Sequence, residues 1–175
     1  MNYLIQPFAG IIVIVDILIL VYLFLFVLSL KTKNEALKSF FNFISGNFLS
    51  FGFLVSLSAT LGSIFLSEVA KYPPCELCWI QRVFMFPQAV ILGIGMVKND
   101  ISARLYSVVL STIGLLIAAY HILVQNGQLL SPCSNQSVNC SVKQFVYFGY
   151  VTIPVMSATA FAVLILLALP AFKRK

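Results

Sequence analysis

Four of the 175 residues are cysteines, and they stand in two close pairs, Cys75 with Cys78 and Cys133 with Cys140. That is too few for the disulfide framework of a small secreted scaffold, so the arrangement of the pairs carries the information. A Cys-x-x-Cys disulfide closes a very small ring. It gains little from loop entropy, and geometric strain makes such a bond easy to reduce, which suits a redox couple better than a staple. The stretch Pro74-Cys75-Glu76-Leu77-Cys78-Trp79-Ile80-Gln81-Arg82 also lies where a helix begins, and a helix N-terminus favours a thiolate. Arg82 follows Cys78 by four residues, so both share one helical face, a turn apart. A guanidinium at the edge of an apolar segment is costly without a role or a partner. It can stabilise a Cys78 thiolate, donate to an oxygen on which negative charge develops, or simply snorkel to the headgroups.

Cys133 and Cys140 enclose a polar stretch, Ser134-Asn135-Gln136-Ser137-Val138-Asn139. A flexible loop can present its disulfide to a thiolate from another protein, because exchange runs by in-line attack through a mixed disulfide. Taken alone, the pair is read more simply as a structural disulfide that tidies the loop. With the first pair on the same side and within reach, the two make a relay. Zinc is the competing chemistry for four cysteines, although Cys133-x6-Cys140 is an unusual knuckle. His121, with Gln125 one turn further out, lies near the outer end of an apolar segment. It can bond a bound cofactor's oxygen, tune the thiolates, or merely join two helices. Asp16 lies inside the first apolar segment and is expected to pair with a polar group on a neighbouring helix. Trp79 fits an interfacial aromatic belt.

The elements that must position these residues are membrane helices. Hydrophobic residues make up 61% of the chain and charged ones 9%, with a mean hydropathy of +1.02, so the bilayer is the solvent. Five segments, 7–30, 47–70, 79–97, 104–125 and 150–171, approach the roughly 20 residues that a spanning helix needs. None alternates like a strand, and the reading is an all-α polytopic membrane bundle. Gly52, Ser56, Ala59 and Ser63 put small residues on one face of the second helix, for close packing in lipid. Lys31, Lys33, Lys38, Lys98, Arg104 and the tail Lys173-Arg174-Lys175 fall on one side, against Lys71, Arg82 and Lys143 near the other. The positive-inside rule then sets the N-terminus outside and the C-terminus in the cytoplasm. Both cysteine pairs lie on the non-cytoplasmic side, where disulfides persist. The net charge of +6 follows this topology, so nucleic acid is not an expected partner. The N-terminus lacks the basic region and cleavage site of a signal peptide. Residues 126–149 form the one long connection, and its cysteines argue for a functional loop.

Cys75-Glu-Leu-Cys-Trp-Ile-Gln-Arg82 resembles the signature of the DsbB/BdbC family of disulfide-forming membrane proteins. The resemblance continues in Ala119-Tyr-His121-Ile-Leu-Val-Gln125, in Asn139-Cys-Ser-Val-Lys143 and in Phe148-Gly-Tyr-Val-Thr-Ile-Pro154, and it covers residues 47–171. The closely spaced second pair and the Gly-x-x-x-Ile-Pro entry to the last helix are similar to the BdbC branch. The resemblance implies a four-helix core, residues 47–175, with the cysteine-bearing outer loop 126–149. It implies a thiol oxidoreductase of the bacterial cytoplasmic membrane that reoxidises a DsbA/BdbD-like thioredoxin-fold thiol oxidase and reduces ubiquinone or menaquinone. By that carry-over Cys133 and Cys140 face the partner, Cys75 and Cys78 face the quinone, and Cys78 and Arg82 lie beside the quinone; His121 is a candidate quinone contact by its position alone. Residues 1–46, a first helix and a cytoplasmic connector, are additional to this core and have no assigned role beyond fixing topology or offering a docking surface. Two other readings compete: a vitamin K epoxide reductase-like enzyme, and a non-enzymatic membrane protein binding metal through its four cysteines.

Overall fold

Long apolar runs in lipid must satisfy their own backbone groups, and here they do so as helices. The computed structural model describes residues 2–31, 34–130, 133 and 139–172. Its elements are α1 (Asn2–Lys31), α2 (Glu35–Gly46), α3 (Phe48–Glu68), α4 (Glu76–Lys98), α5 (Ser102–Gln125) and α6 (Ile153–Phe172). Five contain stretches long and apolar enough to cross a bilayer: Gln6–Ser29, Phe48–Glu68, Glu76–Lys98, Ser102–Gln125 and Ile153–Pro170. The expected five spans are present, and the chain is a multi-pass, all-α membrane protein. Lys33, Lys173, Arg174 and Lys175, which contribute to the expected orientation, lie outside the described residues, as does the polar stretch 134–138.

The sixth helix is a correction. Residues 31–46 read as a connector, yet 12 of them form α2. The Asn34 side chain accepts the Ala36 N–H, Glu35 occupies the first turn, and Lys38 pairs with Glu35 at 2.8 Å. Phe41 and Ile44 are buried while Phe40 and Phe43 are exposed. This two-faced pattern fits a helix lying along the membrane surface, too short to register as a span.

Helices α3 to α6 form a ring in which each packs against the next and α6 closes on α3. Phe48, Met85, Leu92, Phe161 and Leu164 fill its centre. Small residues allow the close approaches: a Cβ on Gly52 would meet Leu92 at 3.2 Å, and one on Gly114 would run into the Phe161 ring. The buried Gln88 of α4 accepts hydrogen bonds from Ser107 (2.7 Å) and Ser111 (3.0 Å) of α5. Helix α1 stands outside the ring, against α6 and α2. Asp16 does pair across helices, accepting from Thr159 of α6 at 2.7 Å and from Tyr150 at 2.9 Å. On its other side Ile14, Leu18 and Leu20 are exposed, as lipid-facing side chains are.

Candidate active site

Helix α4 begins three residues before the expected position. Cys75 is its N-cap, in extended conformation, and Glu76 in the first turn suits the positive end of the helix. Cys78 is therefore inside the first turn rather than ahead of the helix. The two sulfurs stand 3.0 Å apart, with Cys75 buried and Cys78 half-buried. The Cys78 S–H, donating at that distance, holds the Cys75 thiol well below the usual thiol range. Burial opposes this lowering, and His121, with Nε2 3.7 Å from the Cys75 sulfur, adds to it.

His121 is fully buried near the C-terminal end of α5. The Gln81 side-chain amide donates to its Nδ1 at 3.1 Å, which assigns the ring proton to Nε2. Nε2 in turn donates to the Cys140 carbonyl at 3.2 Å. Cys133 and Cys140 are joined in a disulfide. The sulfur of Cys140, the sulfur of Cys75 and a ring nitrogen of His121 all lie within 4.8 Å of one another.

The expectation of an exposed, presented disulfide does not hold for this conformation. Cys133 and Cys140 are each 1% exposed, packed with Cys75, Leu77 and Val124. The segment after Cys140 is held at three points: Gln144 donates to the Pro73 carbonyl at 2.6 Å, Phe145 packs edge-on against Tyr72, and Lys143 donates to Asn126 at 2.8 Å. As possible metal ligands Cys75, His121 and Cys140 are close enough, but the Cys140 sulfur is already spent in the disulfide.

On the other side of Cys78 lies a cavity of about 540 Å³, bounded by α1, α3, α4 and α6. Its lining is largely apolar, with Cys78, Gln81, Arg82 and Ser63 among the few polar groups. Arg82 donates from Nε to the Ser63 hydroxyl at 3.0 Å and from Nη2 to the Ser63 carbonyl at 2.9 Å. Its guanidinium also stacks over Trp79, 5.0 Å from the ring centre. Cys78 and Arg82 thus line one cavity, whereas His121 lines a separate, much smaller one beside the cysteines. The sequence reading missed two positioning groups. Gln81, on α4, both bonds the His121 ring and lines the cavity, and Ser63 holds Arg82 in addition to allowing close packing; neither role is marked by sequence spacing.

The family described as disulfide bond formation protein DsbB matches residues 46–171, leaving α1 outside the match. A probable disulfide formation protein of Oceanobacillus iheyensis is 44% identical over 115 residues, 63% of this chain and 79% of its own. Disulfide bond formation protein C of Bacillus subtilis is 38% identical over 122 residues, 68% and 88% of the two chains. A probable disulfide formation protein of Chlamydia caviae is 39% identical over 136 residues, 76% and 98%. No solved structure matches the chain. With two cysteine pairs meeting at the end of a membrane helical ring, and that match over most of its length, the chain belongs to the DsbB family of membrane disulfide-forming proteins.

Proposed function

We propose that the protein oxidises the dithiol of a thioredoxin-fold partner and passes the electrons through Cys133/Cys140 and Cys75/Cys78 to a quinone. The observation that carries this reading is the order of the sulfurs: Cys133 and Cys140 in the loop, Cys75 next to Cys140, then Cys78 on the wall of an apolar cavity. The cavity fits a quinone in kind, since it offers apolar surface for a ring and tail and one guanidinium for a carbonyl oxygen. Cys78 and Arg82 would hold it. A bound quinone supplies an acceptor for two electrons and two protons.

The chain's own steps balance as thiol–disulfide exchange. A partner thiolate attacks the Cys133–Cys140 disulfide, and the second partner thiol resolves the mixed disulfide, leaving the partner oxidised and the loop pair reduced. The Cys140 thiolate then attacks the Cys75 sulfur of the Cys75–Cys78 disulfide and expels Cys78 as a thiolate toward the cavity. Cys133 next attacks Cys140, restoring the loop disulfide and leaving both electrons on Cys75 and Cys78. His121 supports the attack by donating to the Cys140 carbonyl and facing Cys75. Arg82, fixed by Ser63, offers positive charge where the Cys78 thiolate and a quinone oxygen would meet. The loop must lift from Pro73 and Tyr72 to meet the partner and dock again to reach Cys75.

The test is quinone reduction by purified protein, supplied with a reduced thioredoxin-fold partner, with ubiquinone and menaquinone analogues in parallel. Wild type is expected to turn over and Cys78→Ser to lose turnover. Cys133→Ser should no longer oxidise the partner. No thiol-dependent reduction of either quinone by folded wild type would sink the proposal, and partner oxidation surviving in Cys133→Ser would sink the relay order.

A further inference from the structure

Resting on the quinone reading above, we infer that α1 is a wall of the acceptor cavity: Ile12 and Val15 contact the quinone, and Asp16 holds them in position. Helix α1 lies outside the residues that match the family. If it were only a topological anchor it would pack flush against its neighbours or float free in lipid. It does neither. Thr159 and Tyr150 donate to the Asp16 carboxylate at 2.7 and 2.9 Å, the Tyr22 hydroxyl donates to the Leu166 carbonyl at 2.9 Å, and Phe8 stacks on Phe65 with ring centres 5.3 Å apart. These ties pin α1 to α6 and to the outer end of α3, and the space left between α1, α3, α4 and α6 is the cavity that reaches Cys78 and Arg82.

A carboxylate inside a span is expensive unless it is paired. Here both of its oxygens are used, one on α6 and one on the turn before it. Asp16 follows Val15 directly, and Ile12 lies one turn before Asp16, so the latch fixes the register of these two of the four α1 residues that line the cavity. The wall is specific in chemistry. It adds branched aliphatic surface to a cavity whose polar lining includes the one guanidinium of Arg82, which would suit a ligand with an apolar body and a polar carbonyl oxygen. Asp16 is a positioning residue, and Ile12 and Val15 determine which ring and tail fit.

Binding can be read without turnover. Trp79 is the one tryptophan of the chain and stacks on Arg82, so a quinone in the cavity quenches its fluorescence. Decyl-ubiquinone and a short-chain menaquinone are titrated into full-length wild type, Ile12→Phe/Val15→Phe, and Leu18→Phe on the lipid side of the same helix. The double variant is expected to raise the dissociation constant roughly five-fold or more, and Leu18→Phe to leave it unchanged. Asp16→Ala should weaken binding, and Asp16→Asn, which keeps an acceptor for Thr159, should restore part of it. In case filling the cavity unfolds the chain, an azido-substituted decyl-ubiquinone is photolysed with wild type and the labelled peptides are identified. Label on residues 8–15 is expected. Quenching in wild type with an unchanged dissociation constant in a folded double variant, or label confined to α3, α4 and α6, would overturn the α1 wall and leave the quinone reading standing. Wild type that neither quenches nor takes label would overturn the quinone reading itself.

Discussion

Cys75 is a thiolate stabilised by its neighbours. Its thiol is held low first by the Cys78 S–H and second by His121, whose proton is fixed on Nε2 by Gln81. The order of these causes gives a prediction for single-cysteine proteins, with Cys133 and Cys140 replaced by alanine and Cys75 titrated by thiolate absorbance. With Cys78→Ser a hydroxyl still donates, and the midpoint should stay below that of an ordinary thiol. With Cys78→Ala it should rise the most. Adding His121→Phe to the Cys78→Ser protein should raise it by about one pH unit. Since the thiolate exists above the midpoint, each rise removes thiolate at neutral pH. A midpoint that ignores Cys78→Ala but follows His121→Phe would reverse the ranking. This residue-scale logic was half legible in the sequence. Cys-x-x-Cys at a helix start announces a reactive thiol, but nothing in the spacing says that Gln81 turns inward toward a histidine 40 positions away.

Among the elements, α5 and α6 depend on a glycine. A Cβ on Gly114 would collide with the ring of Phe161, a fully buried core side chain. Gly114→Leu should therefore destabilise the folded protein by about 1–3 kcal/mol or more, as overpacking does. Leu116→Ala, on a lipid-exposed position two residues away, should stay within about 0.5 kcal/mol of wild type. Thermal unfolding in detergent compares them, and equal melting temperatures would show that α6 can shift to admit the larger side chain. The stripe Gly52, Ser56, Ala59, Ser63 was read as packing, and for Gly52 and Ser56 that is what burial shows. Ser63, at the outer end of the same stripe, instead holds Arg82. Helix α2 escaped notice for a different reason: its Asn34 cap and its Phe41 and Ile44 face are ordinary helix signals, masked by the lysines around them.

At the scale of the molecule, the proposed relay requires the loop and the ring of helices to meet. The loop disulfide is buried against Cys75, and Cys140 is the loop cysteine whose sulfur lies within 4.8 Å of the Cys75 sulfur. Cys78→Ser with Cys133→Ser leaves those two as the available pair, and mild oxidation should join Cys75 to Cys140 in most molecules. The matching protein with Cys78→Ser and Cys140→Ser should join Cys75 to Cys133 far less. Peptide mapping under non-reducing conditions reads both, and Cys75 left free in the first protein would show that the docked loop is not the conformation of transfer.

The sequence by itself determined the five spans, the all-α class and the two pairs of cysteines, because hydropathy and spacing are properties of local chain. It also led to the family through contiguous motifs. Only the tertiary structure decided which sulfur meets which, that the loop disulfide is buried and that His121 lies against the thiols. The same holds for the contact of α1 with α6 through Asp16 and for the cavity that contact leaves beside Cys78. Those facts depend on how helices far apart in sequence are rotated against one another. In a chain whose spans are apolar on nearly every side, no stripe of polar residues marks that rotation. It is set by a few close approaches at small residues and by scattered buried hydrogen bonds, which exist only once the helices have met.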